Sequence, residues 1–104
     1  MLVHIEPGSA LDRLETELAF TAGFPPDVVR RFRMRMQQLR AFAGVADLEN
    51  SRALDARRVR GHTALSVRLT DDWRLHLRLL QTPDGLRVDV LEVVESIQKT
   101  RRPR

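Results

Sequence analysis

The run Leu65-Ser66-Val67-Arg68-Leu69-Thr70-Asp71-Asp72-Trp73-Arg74-Leu75-His76-Leu77-Arg78-Leu79 sets the architecture. Apolar residues recur at every second position on both sides of Asp71-Asp72. That is the period of a half-buried strand, and the acidic pair reads as a tight turn between two of them. One face of this hairpin carries Leu65, Val67, Leu69, Trp73, Leu75, Leu77 and Leu79, and the other carries Ser66, Arg68, Arg74, His76 and Arg78. Downstream, Pro83-Asp84-Gly85 makes a second turn into Leu86–Val94, adding Arg87 and Asp89 to the polar face. This last segment is apolar on both faces towards its end, which predicts a central place in the sheet. Upstream, Arg57-Arg58-Val59-Arg60 is a short strand candidate ending at Gly61-His62.

Before Arg57 the period is helical. Leu2-Val3-His4-Ile5 is a short strand that stops at Pro7-Gly8, with His4 read as structural. Ser9 with Asp12 reads as a capping box, and Leu11, Leu14, Leu18 and Ala22 then predict a helix over 10–22 ending at Gly23. Pro25-Pro26 breaks the chain, and Asp27 is placed to cap a second helix that Gly44 ends. Val28, Phe32, Met36, Leu39 and Ala43 form its apolar face, and Arg30, Arg31, Arg33, Arg35 and Arg40 cover the rest. Asp47-Leu48-Glu49-Asn50 reads as one further helical turn. The expected fold is α+β: a short N-terminal strand and two helices packed on one face of a mainly antiparallel sheet. One domain over 1–97 is expected, with 98–104 a basic flexible tail.

With 104 residues, 42% hydrophobic and 31% charged, the chain is globular in composition and excludes a rod or a membrane bundle. It has no cysteine, so thiolate metal sites and cysteine nucleophiles are excluded. Neither a membrane span nor a signal peptide is read, and a cytoplasmic protein is expected. No metal or cofactor is expected, since the three histidines are scattered and no glycine-rich phosphate loop is present. Seventeen of the 18 basic residues are arginines. The first 29 residues carry a net −4 and the remainder +8. That asymmetry points to a polyanion or an acidic partner segment.

Gly61, Leu65-Ser66-Val67-Arg68-Leu69 and Trp73-Arg74-Leu75-His76-Leu77 together resemble the core signature of the RelE/ParE toxin superfamily, nearest to its HigB branch of plasmid maintenance killer proteins. The specific part of the resemblance spans 61–77. It implies a ribosome-dependent endoribonuclease of messenger RNA, held in check by a cognate antitoxin in a heterocomplex. Arg68 and Arg74 match the two motif arginines, with Ser66 and Trp73 as their neighbours. Many members close the last strand with an acidic residue, Tyr and His. Here Glu95-Ser96-Ile97 stands there, and the chain has no Tyr.

RNA cleavage by 2′-oxygen attack needs a proton acceptor, a proton donor and cations on the phosphorane. Arginine suits the last role only, because it keeps its proton above pH 12 or so. Arg68 and Arg74 are therefore expected to stabilise charge. His76 and Glu95 are the expected acid–base residues, with His62 and Glu92 as further candidates. Arg57, Arg58, Arg60, His62, Ser66, Trp73 and Arg78 are the expected RNA contacts. Two alternatives stay open: a ParE-like or degenerate member that binds a protein target such as gyrase, and a non-toxic basic nucleic-acid-binding domain.

Overall fold

The period of two after Ala56 and the helical period before it are both realised. The computed structural model describes residues 1–59 and 64–96. Arg60 and His62, and the tail 98–104, lie outside the described residues. The elements run β1 (Leu2–His4), α1 (Ala10–Thr16), α2 (Pro26–Ala41), α3 (Val45–Asn50), β2 (Arg57–Arg58), β3 (Ala64–Arg68), β4 (Trp73–Thr82) and β5 (Gly85–Glu95). They build a five-stranded sheet in the order β1-β5-β4-β3-β2. Every pairing is antiparallel except that of β1 with β5. Leu65, Val67, Leu75, Leu77 and Val88 from the sheet share one core with Leu14, Val28, Phe32, Met36 and Leu39 from α1 and α2. This is the expected α+β arrangement.

The helix of 10–22 is half as long as its periodicity implies. Ser9 caps it, accepting from the Asp12 N–H at 3.2 Å, while the Asp12 carboxylate reaches back to the Gly8 N–H at 2.8 Å. The helix stops at Thr16, and Leu18, the next apolar residue in phase, is 87% exposed. Arg33 explains the early stop. Its guanidinium collects the carbonyls of Leu14, Glu17, Leu18 and Phe20 at 2.9–3.3 Å, satisfying acceptors that a helix end leaves open. Ala22 and Gly23 then take positive φ values of 54° and 80°.

Two details of α2 also differ from expectation. It begins at Pro26, two residues before the start that an Asp27 cap implies, so Asp27 lies inside the first turn and receives the Val28 N–H. Proline is at home there, where its missing N–H costs nothing. Arg35, expected on the solvent side, is 3% exposed and belongs to the interior.

The strand β5 is second from the edge; β4 is the central one. Its two-faced apolar look comes from a bulge. Leu77 pairs with Val90 and His76 with Glu92, which leaves Leu91 as an extra residue. Val88 and Val90 face the core before the bulge and Val93 after it, so the period of two breaks in the sequence while the buried face continues.

Candidate functional site

The sheet face away from the helices carries the polar residues in rows. Pairing sets Arg57 opposite Ser66, Ser66 opposite His76, and His76 opposite Glu92. The adjacent row sets Arg68 opposite Arg74 and Arg74 opposite Val94. On the other side lie Arg78, Asp89 and His4, again paired in register. Neighbouring strands stand about 4.8 Å apart, so each row is a string of side chains in mutual reach.

Arg74 is the best-held side chain of this face. It is 12% exposed and gives hydrogen bonds to the Ser66 hydroxyl and carbonyl, the Asp55 carboxylate at 3.2 Å and the Asp55 carbonyl. Asp55 sits at φ 45°, a left-handed conformation that aspartate tolerates better than most residues. Its carboxylate also pairs with Arg57 at 2.8 Å. The hydrogen bond from Arg74 is the main influence on the Asp55 acid; burial opposes it, and Arg57 adds to it, leaving the acid below its ordinary value. Arg74 is thereby a clamp on the loop between α3 and β2.

From the helix side Arg35 grips the same loop. It donates to the Ala53 carbonyl at 3.0 Å, to the Arg68 carbonyl at 2.6 Å and to Gln38 at 2.7 Å. Burial, then the nearby Arg31 and Arg68 charges, lower its affinity for the proton. The Arg68 N–H in turn reaches the Leu54 carbonyl. The backbone of Arg68 is thus fixed at both ends while its side chain stays half-exposed, with Asp71 3.8 Å away. It lines a small cleft together with Arg30 and Arg31 of α2.

His76 is one-fifth exposed, and its Nδ1 lies 3.4 Å from a Glu92 carboxylate oxygen. Glu95, by contrast, pairs opposite Trp73 and shares the helix-side phase, so the structure does not bring it to His76. Trp73 itself packs edge-on against Phe24, centroids 5.5 Å apart, also on the helix side. Ser66 is buried and engaged by Arg74. Arg58 is exposed but opposite Leu65, in the other phase from Arg57. Arg78 is half-exposed and shares the buried Asp89 carboxylate with Arg87. Burial pushes the Asp89 acid up, but the two guanidiniums outweigh it and hold the acid below its ordinary value.

The face therefore offers three things: cations in Arg57 and Arg68, an imidazole backed by a carboxylate, and a rigid plate under both. Asp55, which holds the plate together, left no mark in the sequence beyond the lack of period from Val45 to Ala53. Among the described residues no three His, Asp or Glu side chains gather as a metal site would need. No helix among them is long and apolar enough to cross a membrane.

No protein-family model and no curated protein matches the chain. Among solved structures it is similar to a YoeB/ParE toxin from Agrobacterium tumefaciens, with a TM-score of 0.59 at 14% sequence identity. The likeness covers 93% of this chain and 100% of that one. At so low an identity it establishes the fold, which is RelE-like.

Proposed function

We propose that the chain is the toxin of a type II toxin–antitoxin pair, a HigB-like member of the RelE/ParE superfamily that cleaves messenger RNA on the ribosome in the cytoplasm. The observation that carries the reading is the half-exposed Arg68 on a plate shared with the His76–Glu92 pair, within a fold like that of a solved toxin. In this mechanism the 2′-oxygen attacks the adjacent phosphorus and the bond to the 5′-oxygen breaks. The products are a 2′,3′-cyclic phosphate and a 5′-hydroxyl. His76, oriented through Nδ1 by Glu92, takes the 2′-hydroxyl proton as the new P–O bond forms and delivers it to the 5′-oxygen as the old bond breaks. Arg68 meets the charge that grows on the non-bridging oxygens. Arg57 and Arg78, on the same sheet face, line the approach of the strand. Arg74 positions the plate. Few aromatics face the strand, so the ribosome supplies much of the grip, and stacking alone would not.

Expression with and without the antitoxin gene, with mapped messenger 5′ ends, tests the reading. Growth arrest with new internal 5′ ends, relieved by Arg68→Ala, is the expected result. The full engagement of Arg74 and the absence of Glu95 from this face favour one second reading, a ParE-like toxin that binds a protein such as gyrase. Growth arrest with intact messages selects it. A tolerated protein that still binds nucleic acid selects the non-toxic basic domain.

A further inference from the structure

β5 is an 11-residue strand, yet β1 lies against only Arg87, Val88 and Asp89 of it. The chain then leaves the edge at Pro7-Gly8, where the Ser9 N–H turns back to the Glu6 carbonyl and Gly8 takes φ 78°. Among the described residues no strand pairs with the outer edge of β5 from Leu91 to Glu95. Beside that edge runs a groove of about 350 Å³ between α1 and β5, its apolar floor made by Leu11, Phe24, Leu91 and Val93. Glu6 and Glu92 are its charged lining, and no arginine or lysine lines it. The bulge turns Leu91 outward to 41% exposure at the point where the open edge begins.

We propose that this edge and groove take one extended segment of a partner protein as a sixth strand, apolar at alternate residues and basic between them. The unpaired main-chain groups of an edge supply the ladder, and a groove beside it selects alternate side chains. Local charge names the partner's sign. The whole chain carries +4 and draws acidic segments, whereas the groove is lined by Glu6 and Glu92, and exposed Glu95 closes the edge. A second copy fits poorly, because it would bring the same acidic edge against itself, with no arginine or lysine lining the groove to meet Glu6 and Glu92. The groove shares Glu92 with the His76 pair, but its open edge and apolar lining do not depend on RNA cleavage.

The test titrates the full chain by amide NMR with capped peptides of about eight residues alternating valine with lysine or valine with glutamate. The lysine peptide is expected to bind at least about tenfold more tightly, with shifts on Leu91–Glu95 and Leu11. Methylating its alternate backbone nitrogens on the pairing side should cost about tenfold, because the ladder is lost. Glu6→Lys should narrow the preference for lysine. Tighter binding of the glutamate peptide, shifts centred on Arg57 and Arg68, indifference to methylation, or no binding at about 1 mM would each overturn the proposal. So would a concentration-dependent dimer that shows the same shifts, which would give the edge to a second copy.

Discussion

Replacing Arg74 with alanine separates a clamp from a simple transition-state cation. The side chain is 12% exposed and its donors are spent on Asp55 and Ser66. Hydrogen bonds to a charged group contribute about 1.5–3 kcal/mol each, and acceptors left buried keep their desolvation cost. The Ser66 hydroxyl and carbonyl are buried and would be stranded. The Asp55 carboxylate is 36% exposed and would rehydrate, so its share falls to that of a surface pair, well under 1 kcal/mol or so. The expected loss is about 2–4 kcal/mol, which for a domain of this size lowers the melting temperature by about 10–20 °C. Thermal melts by circular dichroism measure it, and growth arrest at a temperature where the variant stays folded measures the rest. Arg68→Ala is the control: its half-exposed side chain has one carboxylate 3.8 Å away, so its melt should stay within about 3 °C. An Arg74→Ala melt equally close to the unchanged protein would refute the clamp.

Arg68→Ala should lower message cleavage on purified ribosomes about a hundredfold while it remains folded, and unchanged cleavage would remove Arg68 from the chemistry. Glu92→Gln should slow cleavage about tenfold through His76, whereas Glu95→Gln, on the other face, should leave it unaltered; the reverse order would restore Glu95 to the site. Asp89, depressed by Arg87 and Arg78, binds its proton more weakly folded than unfolded. Its stabilisation is therefore complete above its ordinary value of 3.8 and lost as pH falls through the lower folded value, so Asp89→Asn should flatten urea stability against pH in that acid range. For α1, Leu14→Ala should cost about 2–5 kcal/mol in urea unfolding and Leu18→Ser less than about 0.5, and comparable losses would mean the helix runs on through Leu18.

The hairpin and both helices were legible because burial imposes a period, and Leu65, Leu75, Leu77, Phe32 and Met36 keep it. What escaped was set by contacts between distant residues. Nothing local distinguishes Arg33 and Arg35 from Arg30 and Arg31, since their roles depend on carbonyls of α1 and of the Ala53–Asp55 loop. The end of α1 escaped with them. The bulge at Leu91 hid the phase of β5: counted in twos from Arg87 and Asp89, Glu95 falls on the polar face, whereas its pairing with Trp73 puts it on the other. Alternation did bring Ser66, Arg68, Arg74 and His76 to one face. It could not say that Arg74 and Ser66 would be consumed by each other.

The arginines that grip carbonyls also limit how the chain can drift. Arg33 spans four main-chain oxygens, and Arg35 and Arg74 two each besides their side-chain partners. A lysine ammonium reaches one point and cannot bridge such a set, while a planar fork can. Those three positions are closed to the commonest exchange of one cation for another, whereas Arg30 and Arg52 are open to it. Because the main-chain acceptors are neutral, salt that dissolves surface ion pairs leaves these bonds to carbonyls largely intact. A lineage of this fold under a shifting base composition would trade its exposed arginines for lysines and keep the three staples.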